Sequence, residues 1–205
     1  NTNMCMSETM MHSIARMQCD IKEKFGAPRQ SGLVQHLCGK IVFEPRYRDP
    51  EMLRGLEGFS HIWIIWIFSK INKWSCTVRP PRLGGNKRVG VWACRSPFRP
   101  NPIGLSCVKI EKIDLCSKDG PVIYVTGADL IDDTPILDIK PYIPYADRIA
   151  DASSGFVQAL TDVSLPVSFS KQARQMLSDH QRLVVAELLA LDPRPHYHAD
   201  RNRVY

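Results

Sequence analysis

Between about residues 14 and 145 the sequence consists of short apolar runs rich in β-branched and aromatic residues. These runs lie at residues 41–43, 62–68, 88–94, 105–113 and 122–126, and Gly, Pro, Asn or Asp bounds most of them. The longest uninterrupted one, 62–68, suits a buried strand and is far shorter than the roughly 18 residues that span a bilayer. Several short strands without long intervening helices predict a mainly β fold, either an antiparallel barrel or a sandwich.

The C-terminal quarter of the chain has a different pattern. From Ser170, a predicted N-cap, apolar residues recur at helical spacing up to Asp192-Pro193, where proline ends the helix. The apolar positions are Ala173, Met176, Leu177, Val184, Leu188 and Leu191. We therefore expect an N-terminal tail (1–13), a β domain (14–150) and a helical or α+β extension (151–205). Residues 202–205 look like the start of a strand, so we expect the extension to be incomplete.

The charge of the chain is unevenly distributed. Residues 58–110 contain nine Lys or Arg and no Asp or Glu, within a formal net charge of +6. A long window of one sign points to a polyanionic partner such as a nucleic acid, although a solvated cationic face is the alternative. Prolines at 80–81, 97, 100 and 102 fix the backbone of this window, which favours shaped binding loops.

Cysteine usage indicates the compartment. The seven cysteines are widely spaced and odd in number, and no C-x-x-C pair is present. This pattern favours free, mostly buried thiols in a reducing environment. The first twelve residues do not have the form of a signal peptide. We therefore expect a cytoplasmic protein without a membrane anchor.

Motifs that carry chemistry are mostly missing. The sequence has neither G-x-G-x-x-G nor G-x-x-x-x-G-K-[ST], so a nucleotide-like cofactor is not held by a Rossmann unit. His61, Cys94 and Ser96 lack the partners of a catalytic group, and we interpret them as structural. Residues 129–142 hold four aspartates. They are compatible with a plain turn, with a carboxylate that accepts hydrogen bonds from a ribose or an amine, or with a metal site. No Ca²⁺-loop motif accompanies them.

Several blocks together resemble the TrmO family, also called TsaA-like. They are Pro-Arg-Gln at 28–30, Phe-Ser-His-Ile-Trp at 59–63, Val-Arg-Pro-Pro-Arg-Leu-Gly-Gly at 78–85, Arg-Ser-Pro-Phe-Arg-Pro-Asn-Pro-Ile-Gly at 95–104 and Thr-Pro-Ile-Leu-Asp-Ile-Lys-Pro-Tyr at 134–142. The Asp-Pro-Arg-Pro of 192–195 resembles the family's C-terminal extension, so the resemblance spans nearly the whole chain.

The resemblance implies an S-adenosylmethionine-dependent tRNA methyltransferase built on a β-barrel. Its acceptor would be N6 of threonylcarbamoyladenosine next to the anticodon, and it would act as a homodimer with the cofactor close to the subunit boundary. No metal is implied. The alternative is an RNA- or metabolite-binding barrel that transfers no methyl group.

The resemblance also assigns residues to the cofactor. They are Pro28, Arg29, Gln30, Phe68, Ser69, Arg95, Leu105, Asp129, Leu130, Ile131 and Asp132. Relatives often have His where this chain has Ser69, which makes a backbone contact the safer expectation there.

Two further groups are assigned as hypotheses. Asp138, Lys140 and Tyr142 would orient the modified base, because their polar atoms lie close in sequence to the cofactor loop. The phosphates of the anticodon stem would be bound by Arg79, Arg82, Lys87, Arg88 and Arg99. Arg99 could instead bind the threonyl carboxylate as a bidentate partner.

Overall fold

The computed structural model describes residues 8–23, 26–80, 87–159 and 164–192, and its main feature is a closed antiparallel barrel. The strands are β1 (Ala15–Cys19), β2 (Cys38–Phe43), β3 (His61–Ile67), β4 (Thr77–Val78), β5 (Val89–Gly90), β6 (Ile103–Asp114), β7 (Val122–Thr126) and β8 (Pro135–Pro141). Six of them close the barrel in the order β1-β2-β7-β6-β3-β8, and β4 pairs with β5 in a separate two-stranded sheet. The expected mainly β fold is confirmed, and it is a barrel.

Helices are short and few in the described part of the chain. They are α1 (Pro144–Asp147), α2 (Lys171–Met176) and α3 (Asp179–Ala190), with 3₁₀ turns at Pro45–Tyr47, Pro50–Leu53, Leu56–Gly58, Val91–Ala93 and Gly155–Ala159. None of the described helices has the length and apolar character needed to cross a bilayer.

Two local expectations were wrong. Residues 88–94 form a strand only at β5, because the chain then turns at Val91–Ala93 to bury Val91 in the protein. The single helix expected after Ser170 is broken in two. Ser170 does cap α2, but Ser178 and Gln181 form a reciprocal capping box that starts α3. The strand start suggested at 202–205 lies outside the described residues.

Alternation along β3 separates the barrel interior from its outer face. Ile62, Ile64 and Trp66 are buried in the core, whereas the residues between them lie outward. In the antiparallel register with β8, outward Ile65 pairs with Asp138. Because cross-strand partners share a face, Asp138 also lies on the outer face of the barrel.

Gly104 on β6 makes room for an indole ring. It pairs with Trp66 across the ladder, and a Cβ atom at position 104 would lie 2.2 Å from Cε2 of that ring. The Trp66 ring packs over this glycine and against Phe68, with ring centroids 4.2 Å apart. The glycine therefore fixes the position of the tryptophan at the end of the barrel.

Helix α3 docks onto the segment that leads into β2. Glu187 accepts a hydrogen bond from the backbone N–H of His36 at 3.0 Å and contacts its ring Nδ1 at 2.7 Å. Just beyond α3, the carbonyl of Asp192 accepts from the Arg29 guanidinium at 2.7 Å. Helix α3 thus holds the His36 end of the 29–36 segment, and the chain just after the helix holds the Arg29 end.

Candidate active site

A cavity of about 590 Å³ opens at one end of the barrel. Its walls come from four parts of the chain: the segment before β2, the end of β3, the loop into β6 and the loop between β7 and β8. The lining residues are Ala27, Pro28, Arg29, Gln30, Trp66, Ile67, Phe68, Ser69, Lys70, Ile71, Arg95, Pro97, Arg99, Asn101, Ile103, Gly104, Leu105, Asp129, Ile131 and Thr134. A volume of this size suits a small-molecule cofactor.

The structure brings together most of the residues assigned to the cofactor from the sequence. All of them line the cavity except Leu130 and Asp132. The Leu130 side chain is 1% exposed and belongs to the hydrophobic core. Asp132 accepts a 2.7 Å hydrogen bond from Lys22, whose ammonium group lowers the pKa of this carboxyl. Those two side chains serve the barrel, and they lie outside the cavity lining.

A directed hydrogen-bond chain ends at Asp129 inside the cavity. The indole Nε1–H of Trp66 donates to Ser106 Oγ at 2.8 Å, and Ser106 donates to Asp129 Oδ1 at 2.5 Å. An indole can only donate, so the single hydroxyl proton of Ser106 is left for the carboxylate. Ser106 is fully buried within the barrel. The chain therefore fixes Asp129 as a hydrogen-bond acceptor at the cavity wall.

The charge state of Asp129 is set by opposing effects. Burial raises the pKa of its carboxyl, and the hydrogen bond from Ser106 and the positive charge of Arg95 oppose that rise. Arg95 in turn donates to Gln30 Oε1 at 2.5 Å and so links two walls of the cavity. The site thus combines a partly buried acceptor with a cation and mainly apolar walls.

Several lining residues were missed by sequence reasoning. Trp66, Ile71, Asn101 and Thr134 border the cavity but were not assigned. Asn101 lies in the proline-rich 95–104 block, which did mark it as part of a shaped loop. No sequence signal marked Trp66, since its alternation with Ile62 and Ile64 is that of an ordinary core residue.

The cations assigned to RNA lie in different settings. Arg79, Lys87 and Arg88 are exposed around β4 and β5, and Arg88 donates to the Thr77 hydroxyl at 2.7 Å. Arg99 lines the cavity and donates to the carbonyls of Cys94 and Ser96, which shapes its own loop. Arg82 lies outside the described residues.

The three residues assigned to base orientation are not brought to the cavity. Asp138 and Lys140 form an ion pair of 3.0 Å on the outer face, and Tyr142 packs against Trp63 with ring centroids 5.8 Å apart. The reason is the direction of β8, which begins beside the cavity-lining Thr134 and runs away from it. Asp138 therefore lies opposite Ile65 and Lys140 opposite Trp63, before the part of β3 that lines the cavity. Their role in orienting the base stays a prediction, and the cavity described above is built without them.

The structural interpretation of the isolated histidine and cysteine fits their surroundings. His61 Nδ1 lies 2.9 Å from Ser60 Oγ at the start of β3, and Cys94 Sγ donates to the Val91 carbonyl at 3.3 Å. Among the described residues, no group of three or more His, Cys, Asp or Glu side chains could hold a metal ion.

A closed antiparallel barrel with a cofactor-sized cavity at its end, lined by a carboxylate acceptor and cations, defines a ligand-binding barrel of the non-Rossmann class. Residues 16–148 match the family model of the tRNA-methyltransferase O N-terminal domain, and residues 162–205 match that of the TrmO C-terminal domain. The chain belongs to the TrmO family, which confirms the resemblance drawn from its sequence blocks.

Curated relatives and solved structures agree with this assignment. The tRNA (adenine(37)-N6)-methyltransferase of Escherichia coli K12 is 42% identical over 200 residues, covering 94% of this chain and 85% of that protein. The human protein of the same description is 38% identical over 189 residues, 87% of this chain and 40% of that protein. A crystal structure of TrmO from Pseudomonas aeruginosa superposes with a TM-score of 0.78 at 33% identity, covering 98% of this chain and 87% of that chain.

Proposed function

We propose that this protein transfers a methyl group from S-adenosylmethionine to N6 of threonylcarbamoyladenosine next to the anticodon of tRNA. The observation that carries the proposal is the cavity at the barrel end, with the Asp129 carboxylate fixed as an acceptor beside Arg95. Family membership and the relatives described as adenine N6-methyltransferases support the same reaction. The six described cysteines are free, and three of them are exposed where the sequence predicted mostly buried thiols; free thiols support action in the reducing cytoplasm.

The cavity residues fit this cofactor by chemistry and size. Asp129 offers a partly buried carboxylate for an amine or for ribose hydroxyls, and Arg29 and Arg95 offer cations for a carboxylate. Phe68, Leu105 and Ile131 give apolar surface for an adenine ring. When bound, S-adenosylmethionine supplies the activated methyl group. The protein's contribution is mainly to position the two reactants, since this transfer needs no strong base.

The surroundings of the cavity fit an RNA substrate. Lys70 and Arg99 line the cavity itself, and Arg79, Lys87 and Arg88 continue the positive charge away from it. Where Lys and Arg contact phosphates, the affinity for RNA falls steeply as the salt concentration rises. We therefore assign these cations to the anticodon stem, and Asp138, Lys140 and Tyr142 remain the proposed contacts to the modified base.

Methyl transfer from labelled S-adenosylmethionine to tRNA tests the proposal directly. The tRNA is supplied with and without prior threonylcarbamoyl modification, and we expect incorporation into the modified form only. Equal incorporation into both forms would contradict the stated acceptor. Cofactor and RNA binding with no incorporation would favour a binding barrel instead.

An apolar strip on the outer face supports a homodimer. Leu105 is 51% exposed and Ile103 is 38% exposed, and they pair across the ladder with Ile65 and Ile67. Ile67, Ile103 and Leu105 also line the cavity. We propose that a second copy covers this strip, which would bring the cavity close to the subunit boundary.

Ile65→Arg is expected to weaken dimerisation at least about tenfold, because removing a guanidinium from water against an apolar second copy costs several kcal/mol even with Asp138 opposite it on β8. Sedimentation equilibrium of the wild type and the variant measures the dissociation constant. Leu115→Arg is the matched control, since Leu115 is an exposed apolar residue beyond β6 and outside the strip. An unchanged constant for Ile65→Arg, or a monomeric wild type, would contradict this interface.

Glu187→Ala is expected to raise the dissociation constant for S-adenosylmethionine about two- to fivefold. The substitution removes the Glu187 contacts to His36 and leaves the 3.0 Å contact of His180 Nε2 with the His36 carbonyl, so it loosens the segment that carries Arg29 and Gln30 into the cavity. The loss is modest because both side chains of the pair are partly exposed. Isothermal titration calorimetry measures it, with Asp179→Ala as the control, because Asp179 pairs with Arg182 on its own helix.

The Glu187 result also bears on domain organisation. We treat residues 14–150 as the cofactor-binding domain and 151–205 as an extension that braces one wall of its cavity. Equal affinities for Glu187→Ala, Asp179→Ala and the wild type would show that the contact between Glu187 and His36 does not act on the cofactor site.

A further inference from the structure

Two tryptophans near the cavity are exposed to solvent. Trp92 is 80% exposed and Trp74 is 60% exposed. Trp is a large and mainly apolar side chain that is strongly enriched at binding interfaces. Neither indole is needed to fill the barrel core, whose aromatic members are other residues. Their exposure is therefore explained best by a partner.

An ordered scaffold presents both indoles. Trp92 lies in the 3₁₀ turn after β5, and its neighbour Val91 is 2% exposed and anchors that turn. The Val91 N–H donates to the Cys76 carbonyl at 3.0 Å, two residues along the chain from Trp74. The pairing of β4 with β5 continues the connection. Both tryptophans therefore belong to one ordered surface unit, which consists of residues 74–78 with β4 and residues 89–93 with β5 and the turn after it.

The same unit borders the cavity. The N–H of Ser75, next to Trp74, donates to the carbonyl of Phe98 at 3.2 Å. Pro97 and Arg99 on either side of Phe98 line the cavity, and so does Lys70. A substrate whose reacting atom enters the cavity from this side must pass over the unit that carries the two indoles.

The charges around the indoles have one sign. Lys70, Lys73, Arg79, Lys87 and Arg88 surround them in sequence, and residues 58–110 contain no carboxylate side chain. Two copies of this chain that met here would oppose cation to cation, which disfavours self-association. Aromatic faces set among cations are typical of proteins that bind single-stranded nucleic acid, where bases stack and phosphates pair with Lys or Arg.

We infer that Trp74 and Trp92 form a stacking surface for unpaired bases of the RNA substrate. The inference rests on the proposed function and extends it by separating two contributions to binding. The cations hold the phosphates of any RNA, whereas the indoles select an RNA that has unstacked bases. An anticodon loop has such bases and a continuous duplex does not.

Equilibrium binding to two labelled RNAs tests the inference. One is a hairpin with a single-stranded anticodon loop, and the other is a fully paired duplex with the same number of phosphates. We expect Trp92→Ala to weaken hairpin binding about 5- to 100-fold and to leave duplex binding unchanged. Trp74→Ala is expected to act in the same direction, and Trp92→Phe should restore most of the affinity because phenylalanine keeps an aromatic face.

The matched control is Lys73→Ala, which removes an exposed cation from the same unit. It should weaken the binding of both RNAs alike. The slope of log affinity against log salt concentration should become shallower by about one, whereas Trp92→Ala should leave this slope unchanged. Equal losses on both RNAs in Trp92→Ala, or a changed oligomeric state, would overturn the stacking surface.

The result separates this inference from the proposed function. Wild-type protein that methylates tRNA, with Trp74→Ala and Trp92→Ala binding the hairpin normally, overturns the stacking surface alone. Wild-type protein that binds S-adenosylmethionine but neither RNA overturns both proposals.

Discussion

Asp129→Asn will lower the affinity for S-adenosylmethionine about 10- to 100-fold, and methyl transfer will fall with it. The carboxylate is a partly buried acceptor at the cavity wall, and a hydrogen bond to a charged group contributes about 1.5–3 kcal/mol. The substituted amide keeps the shape but loses the charge. Calorimetric titration measures the affinity, and an unchanged thermal unfolding midpoint establishes that the variant is folded.

The same carboxyl makes binding depend on pH. Burial raises its pKa, so protonation as pH falls removes the acceptor at a higher pH than for an ordinary aspartate. Ser106→Ala deletes the hydrogen bond that opposes this rise. The acid limb of the affinity profile should therefore move further toward neutral pH.

A double-mutant cycle isolates this effect. In the Asp129→Asn background nothing titrates at the position, so Ser106→Ala should then leave the pH dependence unchanged. Thr134→Val is the matched control, because Thr134 is the other buried polar side chain in the described part of the chain. Its hydroxyl donates to the Ile131 carbonyl and not to Asp129. A shifted acid limb in Thr134→Val, or none in Ser106→Ala, would refute the positioning role of Ser106.

Gly104→Ala will destabilise the fold by about 3 kcal/mol, the upper part of the range for overpacked cores. The added Cβ would lie 2.2 Å from the Trp66 ring, which cannot move without breaking its hydrogen bond to Ser106. For a chain of this length the unfolding midpoint should fall by roughly 6–12 °C. Differential scanning calorimetry measures the change.

Gly58→Ala is the control for this substitution. A Cβ at position 58 would meet nothing within 4 Å, and the residue does not need a left-handed backbone. Its midpoint should stay within about 2 °C of the wild type. If the unfolding midpoint of Gly104→Ala also stayed within about 2 °C of the wild type, the Trp66 ring would have another position open to it.

The barrel itself was accessible from the sequence for a simple physical reason. Strand residues alternate between two faces, and runs such as 62–68 and 122–126 carry enough β-branched and aromatic residues to mark them. Residues 88–94 have the same composition and were wrongly predicted as one strand. The local pattern does not show that the chain turns after Gly90 and buries Val91. The break between α2 and α3 was missed because a capping box can interrupt an otherwise continuous helical pattern.

The sequence by itself determined the fold class, the cationic window and the family, and through the family nine of the twenty residues that line the cavity. Each of these depends on residue types and their order along the chain. Only the tertiary structure decided which side chains meet. It placed Leu130 and Asp132 outside the lining and Asp138 on the outer face, and it joined Trp66 through Ser106 to Asp129. Closing the barrel fixes the register of every strand, and register decides which side chains of neighbouring strands lie opposite each other.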